Sequence, residues 1–127
     1  MDILEFRFVF TARDFQQSVD FYRLTLGMEQ VGGWDRADGK GALLCARENV
    51  VIEIFGAADG KENNASSPAA VSLALRVEDI HTLDGLYNAL RAAGCRLSGP
   101  PENHSWGHRS FVVYDPDGIG IHYYCEI

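Results

Sequence analysis

His122 stands in the run Ile119 to Tyr124, where Gly120, His122 and Tyr124 alternate with Ile119, Ile121 and Tyr123. That period of two reads as a strand with an imidazole on one face. Such a group titrates near neutrality, so it is a candidate general base as well as a polar contact for a ligand. Two charges sit in similar patterns. Arg7 and Val9 point away from Phe6, Phe8 and Phe10, and Glu53 shares a face with Val51 and Phe55, opposite Ile52 and Ile54. His104 and His108 are four apart, but Pro100, Pro101 and Gly107 around them rule out the helix that would make this a metal pair. Trp34 and Trp106 offer flat faces for stacking, or for a cation above the ring; packing at an interface is the other use of such residues. Ser72 lacks the strained elbow and oxyanion hole that would let it act with His122 as a hydrolase. No nucleophile set, phosphate loop or redox cofactor motif occurs.

Around these residues is a chain of 127 residues with net charge −7 and no Lys/Arg cluster. One domain is expected, with nucleic acid and anionic membranes as poor partners and a small neutral or cationic molecule as a better one. The acidic start MDILEFRF and the lack of a long apolar run predict neither a signal peptide nor a membrane span. Cys45, Cys95 and Cys125 are odd in number, widely spaced and without a C-x-x-C, as expected of reduced thiols in the cytoplasm.

The elements follow from periodicity. Leu4 to Phe10 is a strand whose phenylalanine face must pack on something large. Asp14 caps a helix carrying the stripe Phe15, Val19, Tyr22 and Leu26, closed by Gly27. A short strand from Met28 to Trp34 precedes a hairpin of 42–47 and 50–55. The polar stretch 56–68 has no period and reads as a linker. Then the plan restarts with a strand (71–77), a helix capped by Asp79 and ended by Gly94, a strand at 95–98, a loop holding Trp106, and a hairpin turning on Asp115-Pro116-Asp117-Gly118.

A shift of 65 residues carries Asp14 onto Asp79 and Phe21-Tyr22 onto Leu86-Tyr87. It also sets Arg7 on Ser72, and anchoring the hairpins on their turns sets Glu53 on His122. The fold class predicted is therefore α+β, with two tandem βαβββ modules forming curved mixed sheets and helices on the outer face. The boundaries are 1–56 and 69–127, joined by a linker over 57–68.

Asp14, Ser18, Phe21, Tyr22, Leu26 and Gly27, followed late in the chain by Asp115 to Gly118 and Ile121, resemble the vicinal oxygen chelate superfamily of glyoxalases, bleomycin-resistance proteins and extradiol dioxygenases. The resemblance implies a homodimer and a cup-shaped cavity. In metal-dependent members it implies ion ligands at four strand positions, filled here by Arg7, Glu53, Ser72 and His122. Arg7 cannot ligate and Ser72 is a poor ligand, leaving Glu53 and His122 as competent donors. The expectation is a metal-independent binding protein for a flat or cationic organic molecule, with no cofactor. Arg7 is expected to pair with Glu53, although both charges could instead face water. Ligand contacts are expected from Arg7, Glu53, Phe55, Ser72, Trp106, His122, Tyr124 and Trp34. The alternative is a metal-dependent lyase, isomerase or dioxygenase that recruits a third ligand from Glu5, His104 or His108, while His122 alone could serve a metal-free enzyme as base.

Overall fold

The computed structural model describes residue 2, residues 6–61 and residues 71–127. The expected strand residues Leu4 and Glu5 and most of the expected linker lie outside them. The chain divides into two compact units, residues 1–67 and 68–127. Each is an α+β unit built on a four-stranded mixed sheet.

The first unit runs β1 (Phe6–Thr11), α1 (Phe15–Asp20), β2 (Glu29–Arg36), β3 (Gly39–Arg47) and β4 (Val50–Gly56). Its strand order is β1-β4-β3-β2. β1 lies parallel to β4, and the other neighbours are antiparallel. Parallel pairing of β1 with β4 requires the intervening chain to cross over one face, and α1 begins that crossing. The Gln17 amide donates to Asp14 Oδ1 at 3.0 Å, so the expected cap is formed. The α-helical bonds stop at Asp20, however. Phe21–Thr25 is a π-helical turn, with the Leu26 amide donating to the Phe21 carbonyl. Phe21, Tyr22 and Thr25 are weak helix formers, and complete burial of Tyr22 fixes how the final turn sits.

Tyr22 and Val19 pack into a core with Ala42, Leu44, Ile52 and Ile54. The phenylalanine row of β1 joins it only in part. Phe10 meets Tyr22 at 6.0 Å between ring centroids, whereas Phe6 is 70% exposed. The expectation that all three rings would be covered is corrected for Phe6, which begins the described strand.

The second unit runs β5 (Ser72–Arg76), α2 (Ile80–Ala92), β6 (Glu102–Asn103), β7 (His108–Tyr114) and β8 (Gly120–Glu126). The order is β5-β8-β7-β6, again with one parallel pair, β5 with β8. Asp79 Oδ1 accepts from the Thr82 amide at 2.8 Å and starts α2. Leu83 and Leu90 bury its apolar stripe, and Tyr87 meets Phe111 edge-on at 5.5 Å. Arg109 adds a two-point clasp, its Nε and Nη2 donating to Asp84 Oδ1 and Oδ2 at 3.0 and 3.2 Å. Phe111, Val113, Ile119, Ile121 and Cys125 complete this core.

The strand expected over 95–98 is reduced to a single bridge between Leu97 and Val113. Arg96 and Ser98 still bond to β7 through their backbones. Gly99, Pro100 and Pro101 then interrupt the run, because two consecutive prolines have no amide hydrogens to extend a ladder. The C-terminal turn forms as expected. Asp115 Oδ1 accepts from the Asp117 and Ile119 amides, and the Gly118 amide donates to the Asp115 carbonyl.

Candidate functional site

In the first sheet α1 covers the face that carries Ile52 and Ile54. The opposite face is set by strand register. Arg7 lies across from Val51, Val9 from Glu53 and Thr11 from Phe55, so Arg7, Glu53 and Phe55 share that face. Arg7 Nη1 donates to Glu53 Oε1 at 2.7 Å, with the two side chains 39% and 14% exposed. The ion pair expected between them is thus made, and neither charge simply faces water.

One step along β4, Phe55 meets Trp34 edge-on, centroids 5.8 Å apart. Trp34 was expected at a strand end but lies within β2, directly across from Gly41. A Cβ at position 41 would run into Cζ2, Cε2 and Cη2 of the indole. The glycine is what lets the ring lie flat on the sheet. Arg36 places its guanidinium over the same ring, 5.5 Å from the centroid.

This aromatic pair borders a cleft of about 500 Å³ at the end of the sheet, lined among others by Thr11, Trp34, Arg36, Lys40, Phe55 and Lys61. Its size is that of a small-molecule site. Lys40 donates to Asp59 Oδ1 at 2.7 Å. That bond holds the Lys40 ammonium above its usual range and the Asp59 carboxyl below its own. The cationic residues here escaped the sequence reading because Lys40 and Lys61 are far apart in the chain and form no run. The turn at Asp38-Gly39 was the available signal, since it brings β2 and β3 together at this end.

In the second unit Ser72 pairs with Gly120 and Ala74 with His122. Ser72, His122 and Tyr124 therefore share the face of β5 and β8 away from α2, with Val112 across from His122. His122 and Ser72 are exposed. Tyr124 stacks on His108 at 4.6 Å. Trp106 is in the turn between β6 and β7, 68% exposed, with its ring stacked at 4.3 Å on His104. The His104 Nε2 atom is hydrogen-bonded with Ser110 Oγ at 2.7 Å. The sequence reading missed this His104-Trp106 stack, which only the hairpin geometry creates.

Glu53 is held by a guanidinium, and the face that carries His122 also carries Ser72, Tyr124, His108 and the Arg76-Glu126 ion pair at 3.2 Å. Among the described residues no three His, Cys, Asp or Glu side chains form a metal-binding group; Glu5 lies outside them. Burial pushes up the Cys95 and Cys125 thiols and raises the Tyr123 hydroxyl to about 12. No helix among the described residues is long and apolar enough to cross a membrane.

A family model of the Glyoxalase/Bleomycin resistance protein/Dioxygenase superfamily matches residues 6–123. A glyoxalase/bleomycin resistance protein/dioxygenase domain from Frankia sp. EAN1pec is similar in structure, with TM-score 0.77, 17% identity, and coverage of 100% of this chain and 98% of that one. An antibiotic-binding protein, TnmS3 from Streptomyces sp. CB03234, gives TM-score 0.73 at 21% identity, covering 95% and 93%. A lactoylglutathione lyase from Agrobacterium tumefaciens gives 0.72 at 15% identity, covering 94% and 90%. At these identities the likeness concerns the fold. No curated protein matches the sequence.

Proposed function

The chain belongs to the glyoxalase/bleomycin resistance protein/dioxygenase superfamily, and from that premise we propose that it binds a flat organic molecule without a metal ion. The observation that carries this reading is the Arg7-Glu53 ion pair beside the Trp34-Phe55 rings. A permanently charged guanidinium neutralises the carboxylate, so no cation is needed to balance it. The rings supply an apolar surface that a planar ligand can cover. The same fold serves an antibiotic-binding protein. His122 and Tyr124 are polar contacts available on the second sheet, and no proton-transfer partner is assigned to them.

Metal analysis of the purified protein, paired with calorimetry against planar aromatic compounds before and after chelation, tests the proposal. Binding that survives chelation, with metal far below one per chain, is the expected result. Stoichiometric zinc, nickel or iron whose removal abolishes binding would instead establish the lyase, isomerase or dioxygenase alternative. The same reading includes a homodimer in the cytoplasm, and light scattering that gave a monomer would remove that part of it.

A further inference from the structure

We infer that the flat ligand is an aromatic acid, held with its carboxylate among the basic residues of the first unit's cleft. This rests on the proposed binding function and narrows the ligand to a chemical class. The chain as a whole carries net charge −7, yet the charged residues lining this cleft are Arg36, Lys40 and Lys61 against Asp38 alone. With Asp59, which is bonded to Lys40, counted as well, three cations still face two carboxylates, so the cleft departs from the acidity of the whole chain where two aromatic rings meet the opening.

The three cations are not equally engaged. Lys40 is bonded to Asp59 at 2.7 Å and also lies 5.8 Å from the Phe15 ring, so its charge is already partnered. Arg36 reaches Asp38 only at 3.6 Å, with both side chains mostly in water. Lys61 makes no ion pair among the described residues; its backbone amide is tied to the Ala58 carbonyl, which anchors the residue at the rim. Arg36 and Lys61 are therefore the groups able to turn toward an incoming anion. Arg36 already sits over Trp34, so an aromatic body against the indole edge and Phe55 would bring its acid group to that guanidinium. A guanidinium can grip a carboxylate at two points, which a neutral amide or an amine cannot reproduce.

Three probes of one shape separate the possibilities: naphthoate, naphthamide and naphthylmethylammonium. Their affinities would be measured by calorimetry, and the bound location by amide NMR shifts at Gly39 and Phe55. Naphthoate should bind about tenfold more tightly than naphthamide, the gain expected from two or three partly exposed charge contacts. That margin should shrink as salt is raised. The double variant Arg36→Gln, Lys61→Gln should abolish the naphthoate advantage, bringing the ratio of the two affinities to about one. Equal or tighter binding of the amide or the ammonium probe by the wild-type protein would overturn the acid requirement while leaving a flat-ligand site standing. Failure of all three to shift the cleft amides would overturn both. The wild-type comparison needs no variant to fold.

Discussion

With Glu53 14% exposed and Arg7 39% exposed, their 2.7 Å contact lies between an open surface pair and a buried one. Its worth is set by how much water still screens it. A double-mutant cycle with Arg7→Ala and Glu53→Gln should return a coupling energy of about 0.5–1 kcal/mol. Coupling indistinguishable from zero in denaturant titrations would mean that the pair contributes nothing to folding. Tyr123 gives a second test at this scale. Burial raises its hydroxyl from 10.0 to about 12, because the phenolate is poorly solvated there. The folded state thus favours the neutral phenol. The resulting stabilisation is complete below pH 10 and is lost as pH rises through about 12, by about 2–3 kcal/mol. Alkaline unfolding curves of Tyr123→Phe should lack this part of the decline, and superimposable curves would refute the assignment.

At the scale of elements, both helices are started by an aspartate whose side chain accepts from the third residue on. For Asp79 the Thr82 backbone amide lowers the carboxyl pKa below its ordinary 3.8, assisted by the Thr82 side chain. A lowered carboxylate pKa stabilises the fold above the unfolded value, and the benefit disappears as pH falls through the folded one. Asp79→Ala should therefore destabilise the protein clearly at neutral pH and much less in strong acid; equal losses at both would exclude the cap as the cause. These caps were legible because the signal is local, an aspartate immediately before an apolar stripe. Gly27 and Gly94 were legible for the same reason and take φ of 74° and 77° at the helix ends. Two features were not legible. The π turn at Phe21–Thr25 depends on seating Tyr22 in a core that local periodicity does not describe. The loss of strand structure at 95–98 depends on how far β7 can be followed before two prolines intervene.

For the whole chain, duplication was the most informative property of the sequence. It predicted two βαβββ modules from the matches of Asp14 with Asp79, Phe21-Tyr22 with Leu86-Tyr87 and one hairpin with the other, and each unit has its last strand parallel to its first. Alternation likewise assigned Arg7 and Glu53 to one face, but it gave no hint of the cationic cleft. Arg36, Lys40 and Lys61 become neighbours only when β2, β3 and the residues after β4 meet at one end of a sheet. Charge also supplies a prediction at this scale. At net −7, fluorescence anisotropy with a DNA duplex at low salt should show no association despite that small basic cleft. Binding that weakens with added salt would show that the local patch outweighs the total.

Gly41 bears the indole of Trp34 where any larger residue would intrude on the ring. Positions 34 and 41 are consequently a single unit of variation. A methyl or more at 41 obliges the group at 34 to move or to be smaller, so related sequences with a larger residue at 41 should carry a smaller one at 34 more often than chance.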